Sequence, residues 1–254
     1  MQRFVSRRSF LRLGAGSALA LGAAACVDAE PASRPSGGGG KLDDPMGDAC
    51  VATDPDALGP YWTRNLRRTS QLASPDEPGQ RLVIMGRVLA RDCATAVAGA
   101  LLVAWQADDA GLYDYNHAGL NQGSGSGELT VEQTNLRGLF VSSTTGTYAI
   151  ETIFPKEYPL DLLDPGSSAY RAPHVHFAVF VQDRRGASHQ LVTQMYFAPN
   201  DLVLRKVPNL DRLNADDLGA STAGTGRFVE LSGTDVWHGE FDLILDLDPA
   251  LVVA

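Results

Sequence analysis

His174-Val175-His176-Phe177-Ala178-Val179-Phe180-Val181-Gln182 is a run of β-branched, aromatic and small residues, interrupted only by its two histidines. Its length and residue types suit a β-strand. Working outward, comparable runs occur at 81–90, 97–107, 139–143, 147–154, 190–197 and 239–248, each bounded by turn residues. No long segment shows a convincing 3.6-residue period, so helices should be few and short, with one expected near 211–218. About seven strands at this spacing predict an all-β fold, an antiparallel β-sandwich with long loops. The polar, Gly/Ser-rich stretch 114–138 reads as one such loop between strands.

The chain has 254 residues and 44% apolar content, with 26 Gly and 14 Pro, which describes a globular protein. Residues 1–26 read as a targeting leader: Ser6-Arg7-Arg8-Ser9-Phe10-Leu11 precedes an uncharged stretch, 13–25, ending in small residues. The adjacent arginines resemble a twin-arginine export signal. The apolar run is too short to span a bilayer, which needs roughly 20 residues. Cys26, at its end, is a candidate lipid anchor, and the expected destination is periplasmic, envelope-anchored or secreted. Residues 27–48, rich in Gly, Pro and Ser, form a flexible linker. One domain then covers 49–254. Losing the leader's four arginines from 21 basic residues leaves 17 against 30 acidic ones, a net charge of −13, which argues against a nucleic-acid partner. In an exported chain Cys50 and Cys93 are expected to be bridged, worth roughly 4 kcal/mol by loop closure.

Residues two apart on a strand share a face, so His174 and His176 present two imidazoles side by side. This is a frequent beginning of a metal site. A divalent ion would recruit a third histidine or a carboxylate, whereas hard trivalent iron prefers anionic oxygen such as phenolate. Tyr158, in Pro155-Lys156-Glu157-Tyr158-Pro159, and Tyr113, after Trp105-Gln106-Ala107-Asp108-Asp109-Ala110-Gly111-Leu112, are candidates of that kind. Tyr115 rivals Tyr113, because the two share a face if a strand continues there. His117, His189 and His238 fit solvated positions, Trp105 the core, and Tyr148 a structural place in its strand. Asp108, Asp109 and Glu157 read as turn residues rather than a catalytic carboxylate pair.

Taken in order, Val97-Ala98-Gly99-Ala100 with WQADDAGLY, LRGLFVSSTTGTYAIETIFPKEYP, RAPHVHF and LVTQMYF resemble the intradiol ring-cleavage dioxygenases, the catechol and protocatechuate 3,4-dioxygenase group. Gly59-Pro60-Tyr61 is similar to the entry segment of exported members. The resemblance is strong over 81–197 and weak beyond. It implies a non-haem Fe(III) held by Tyr113, Tyr158, His174 and His176, with Tyr158 and His176 axial and Tyr113 and His174 equatorial. It also implies that Tyr158 takes a proton from the arriving substrate, and that Arg171 and Gln194 lie against the bound catechol. The implied reaction inserts both atoms of O₂ between the hydroxyl-bearing carbons of a catechol-type aromatic, giving a muconate-type diacid. Leu160 and Asp161 depart from the aromatic and basic residues of the protocatechuate enzymes, which makes a neutral catechol better suited than a carboxylated one. Two other readings fit the same residues: a different metalloenzyme using His174 and His176 with Zn(II), Cu(II) or Fe(II), and a non-catalytic β-sandwich binding module.

Overall fold

The run 174–182 forms one unbroken strand in the computed structural model, which describes residues 50–120, 127–160 and 169–253. In chain order the strands are β1 (Arg81–Leu89), β2 (Leu101–Gln106), β3 (Arg137–Val141), β4 (Thr147–Ile153), β5 (Tyr158–Pro159), β6 (Tyr170–Arg171), β7 (His174–Gln182), β8 (Ser188–Phe197), β9 (Phe228–Val229), β10 (Ser232–Gly233), β11 (Val236–Glu240) and β12 (Leu243–Ile244). The short helices are α1 (Asp114–His117), α2 (Asp201–Leu204), α3 (Leu210–Asp216) and α4 (Leu218–Ser221). The all-β class expected from the strand spacing is therefore the one observed. The leader with Cys26 and the linker 27–48 lie outside the described residues, as do 121–126, Asp161 and the turn segment 164–168. No helix among the described residues is long and apolar enough to cross a membrane.

β7 is the central strand of a five-stranded sheet ordered β3-β2-β7-β8-β9. A second five-stranded sheet is built around β1, with β4 on one side and β11 and β12 on the other. Val175, Phe177 and Val179 on one face of β7 join Leu102 and Ala104 of β2 and Leu82, Ile84 and Ile150 of the second sheet in the main core. Burying each such side chain stabilises the fold by roughly 1.5–3 kcal/mol. The opposite face of β7 is covered as well, because Ala178 packs with Val103, Trp105, Tyr61, Tyr113 and Tyr158. Burial on both faces explains why the sequence shows a continuous apolar run rather than an alternation.

Three details differ from the sequence expectation. The pairing is mostly antiparallel, but β11 and β12 run parallel to β1, and β9 runs parallel to β8. The run 239–248 is not one strand: Asp242 interrupts it by accepting the Arg87 backbone N–H at 2.8 Å and its guanidinium at 2.7 Å. The stretch 114–138 is not a single loop, since it opens with α1, carries a 3₁₀ turn at Val131–Gln133 and ends inside β3. The helix expected at 211–218 appears as α3, which stops where Asp217 adopts an extended backbone and caps α4.

The expected bridge is present between Cys50 and Cys93, with Cα atoms 5.7 Å apart. From it a strap, residues 50–62, runs past β12 of the second sheet and along β8 of the first. Thr53 N–H donates to Ile244 O at 2.8 Å, Asp56 N–H to Val192 O at 2.8 Å, and Thr193 Oγ1 to Asp54 O at 2.7 Å.

Candidate active site

The period of two on β7 delivers His174 and His176 to the face that Trp105 and the strap cover. The ring of Trp105 lies parallel to that of His176, with centroids 4.6 Å apart. His174 Nε2 is 3.2 Å from His176 Nε2, and it is 3.4 Å from the hydroxyl oxygens of both Tyr113 and Tyr158. Four donor atoms thus converge on one point, and all four side chains are buried.

Local structure explains each position. Tyr158 enters on β5, directly opposite Arg171 of β6. Tyr113 is the N-cap residue of α1, its backbone N–H donating to Asn116 Oδ1 at 2.8 Å. The next residue, Asp114, is wholly buried and gripped by the fork of Arg137, which also donates to Tyr61 O at 2.9 Å. Tyr61 stacks on Tyr113 with ring centroids 3.9 Å apart. At Gly111, φ is +81° and an added Cβ would stand 2.8 Å from Glu157 O, so only glycine lets the Tyr113 loop approach the Tyr158 segment this closely.

The electrostatics follow from burial. Burial, followed by the Arg171 cation, lowers the His174 pKa to about 4, and burial with His174 and Arg171 takes His176 well below its usual value. Burial pushes Tyr158 up to about 12 although Arg171 pulls it down, and burial plus the charge of Tyr158 raises Tyr113 further. Left alone, these groups are two neutral imidazoles and two protonated phenols. His174 Nδ1 donates to Ala172 O at 2.6 Å, which leaves Nε2 as a bare lone pair facing the other three donors. His176 Nδ1 is buried with no hydrogen-bond partner among the described residues.

The family model for the dioxygenases matches residues 59–245, the segment that contains all of these side chains. The chain belongs to the intradiol ring-cleavage dioxygenases. Among relatives, the hydroxyquinol 1,2-dioxygenase of Rhizobium sp. (strain MTP-10005) is 29% identical over 195 residues, covering 73% of this chain. The chain spans 56% of that relative's length. An intradiol ring-cleavage dioxygenase from Tetranychus urticae superposes with a TM-score of 0.61 at 20% identity, over 78% of this chain and 95% of that one. The dioxygenase domain of a carbohydrate-binding fusion from Streptomyces sp. SirexAA-E gives 0.54 at 24% identity, over 78% and 100%. These two likenesses are of fold.

Within this intradiol-dioxygenase chain Tyr115 is directed elsewhere, its hydroxyl donating to Trp62 O at 3.0 Å. The strand ends at Gln106, so the shared-face argument for the two tyrosines does not apply. Arg171 Nε donates to Asp217 Oδ2 at 2.8 Å and its Nη2 to Gln194 Oε1 at 2.7 Å. Gln194 sits opposite His176 in the β7–β8 register and donates to Ala57 O at 2.9 Å. Burial works against the charge on Arg171, but Tyr158 and Asp217 outweigh it and hold its pKa above the ordinary arginine value. His117 pairs with Asp108 at 2.7 Å, His189 with Asp183 at 3.2 Å, and His238 is exposed on β11. Asp108 is spent on the N–H groups of Ala110 and Leu112, and Asp109 on Lys206, so they form no catalytic pair. Trp105 and Tyr148 are buried, the latter donating to Phe241 O at 2.6 Å. Sequence reasoning missed Asp217, which meets Arg171, and Asp56, whose carboxylate pairs with Arg227 and accepts from the Tyr196 hydroxyl at 3.2 Å. An Asp before a short helix signals a cap, but nothing in the sequence names the arginine that it meets.

Proposed function

We propose that this protein is an exported ferric intradiol dioxygenase that opens the ring of a neutral catechol-type substrate between its two hydroxyl-bearing carbons. The observation that carries this reading is the convergence of the Tyr113 and Tyr158 hydroxyls and His176 Nε2 on the Nε2 of His174, all four side chains being buried. Two oxygen and two nitrogen donors, with no carboxylate or thiolate among them, suit hard trivalent iron better than zinc or copper. When bound, ferric iron would supply a Lewis acid that neutralises two phenolates and activates a chelated catecholate toward O₂.

The chain's own residues do the rest. Tyr158, on the short β5 strand, is protonated when left alone; as a phenolate beside a bound ferric ion it would accept one substrate proton as the catechol arrives, and the high pKa that burial gives it makes it a competent base. Arg171, opposite Tyr158, presents a fixed cation to the negative charge that develops on the substrate. Trp105 and Tyr61 seal His176 and Tyr113 from water. The overall change is balanced without an outside reductant: catechol plus O₂ gives the diacid, and both oxygen atoms stay in the product. The names of the relatives, hydroxyquinol and chlorocatechol 1,2-dioxygenases, support a catechol bearing hydroxyl or halogen substituents. The twin-arginine leader and the Cys50–Cys93 bridge support an oxidising compartment, with Cys26 as a candidate lipid anchor.

The test is spectroscopic and isotopic. Full-length protein loaded with ferric iron is expected to be red to brown, and Tyr158→Phe to weaken that visible band. With ¹⁸O₂, catechol and hydroxyquinol should yield diacids that carry both labelled atoms. A colourless iron-loaded protein, or no ring cleavage of any catechol, would overturn the proposal.

A further inference from the structure

The Asp217 side chain is fully buried, whereas its partner Arg171 remains 17% exposed. As a cap for α4 it uses only Oδ1, which accepts from Gly219 N at 2.8 Å and Ala220 N at 3.2 Å. Serine or asparagine would serve a cap equally well, and neither brings the cost of burying a charge. The second oxygen is directed elsewhere. Oδ2 accepts from Arg171 Nε at 2.8 Å and from the Ala172 backbone N–H at 2.7 Å. The carbonyl of that same residue, Ala172, receives the Nδ1 proton of His174 at 2.6 Å. At its other end the guanidinium is tied by Nη2 to Gln194, which leaves Nη1 without a hydrogen-bond partner among the described residues.

We propose that Asp217 is a positioning residue for ring cleavage: its Oδ2 fixes the Arg171 guanidinium and the Ala172 peptide in one relation to His174, with Nη1 turned to the substrate. This rests on the intradiol reading above. The geometry gives Asp217 two separable tasks, since one oxygen starts a helix and the other builds the site. An arginine held at both ends is pre-organised, so less freedom is lost when charge develops beside it.

Asp217→Asn keeps a good cap and removes the charge that faces Arg171. Iron-loaded Asp217→Asn is expected to lose about tenfold to a hundredfold in kcat, the scale of a misplaced catalytic group. The affinity for catechol under anaerobic conditions, read by tryptophan fluorescence, should change less than threefold. In an Arg171→Ala background the added Asp217→Asn change should cost much less kcat than it does alone, leaving only the part that runs through the Ala172 peptide and His174. Leu218→Gly weakens the same helix at a residue that is 80% exposed and touches none of this network, and its kinetics should match those of the unaltered protein. If Asp217→Asn fails to fold, Asp217→Ser, which caps but is too short to reach Arg171, takes its place in the same cycle. Multiplying effects in the Arg171→Ala background, or a Leu218→Gly enzyme as slow as Asp217→Asn, would make Asp217 merely structural and overturn the inference. An unaltered protein that cleaves no catechol would instead remove the functional reading on which it rests.

Discussion

Gly59 has φ +74°, and a Cβ added there would lie 3.2 Å from His176 Cε1. Both facts act at the residue scale and in the same direction. A non-glycine residue held in the left-handed region costs about 1–3 kcal/mol, and the methyl group would press on the imidazole. Gly59→Ala is therefore expected to lower Tm by several degrees and to weaken the visible band of the iron-loaded protein. Unchanged melting with an unchanged spectrum would contradict the close approach. At this scale the sequence was most legible where a period carried the chemistry. His174 and His176 fall on one face of a strand because side chains alternate. Tyr113 and Tyr115 could not be separated in the same way, because a helix cap and not a strand sets their directions.

Among elements, the strap 50–62 matters most for the site, although it contains no regular structure. Gly59 touches His176, Tyr61 stacks on Tyr113, and Ala57 O holds the amide of Gln194. Its far end is fixed by the Cys50–Cys93 bridge to the turn after β1. Replacing both cysteines with serine should cost roughly 2–4 kcal/mol on urea denaturation. It should also speed proteolytic cleavage within the strap, with a raised KM for catechol. Wild-type stability and wild-type cleavage rates would show that the strap is held without the bridge. The cysteine pair was legible from count and compartment, but the strap's role was not. Its apolar residues, Val51, Ala52, Ala57, Leu58, Tyr61 and Trp62, follow neither a strand nor a helix period, and its hydrogen bonds reach residues far along the chain. The division of 114–138 into α1, a 3₁₀ turn and β3 was hidden for a related reason. Its anchor is the buried Asp114–Arg137 pair, which no local pattern announces.

Across the whole described unit, the site lies on the outer face of the β3-β2-β7-β8-β9 sheet, and the main core fills the other face. Strand spacing made the β class legible. The parallel placement of β9, β11 and β12 was not, because it depends on which distant edges those short strands reach. This burial also makes stability depend on pH. In metal-free protein His174 is held at a pKa of about 4, and His176 well below its usual value, by burial first and then by neighbouring cations. An unfolded histidine titrates near ~6.5, so below that pH the unfolded chain binds protons that the folded chain excludes. The stability these neutral imidazoles confer is complete above ~6.5 and is lost as pH falls toward the folded value. Asp217 acts with the same sign: burial opposes its charge, Arg171 outweighs burial, and its depressed pKa confers stability that is lost only at lower pH. Each histidine can contribute up to ~1.4 kcal/mol per pH unit inside its window. Urea denaturation of chelator-treated protein should therefore give a stability at pH 5 on the order of 2–4 kcal/mol below that at pH 7. His174→Asn, which cannot take up the proton, should show a smaller difference between the two. Equal stabilities for the unaltered chain at both pH values would contradict the burial of neutral imidazoles on which the metal-binding reading depends.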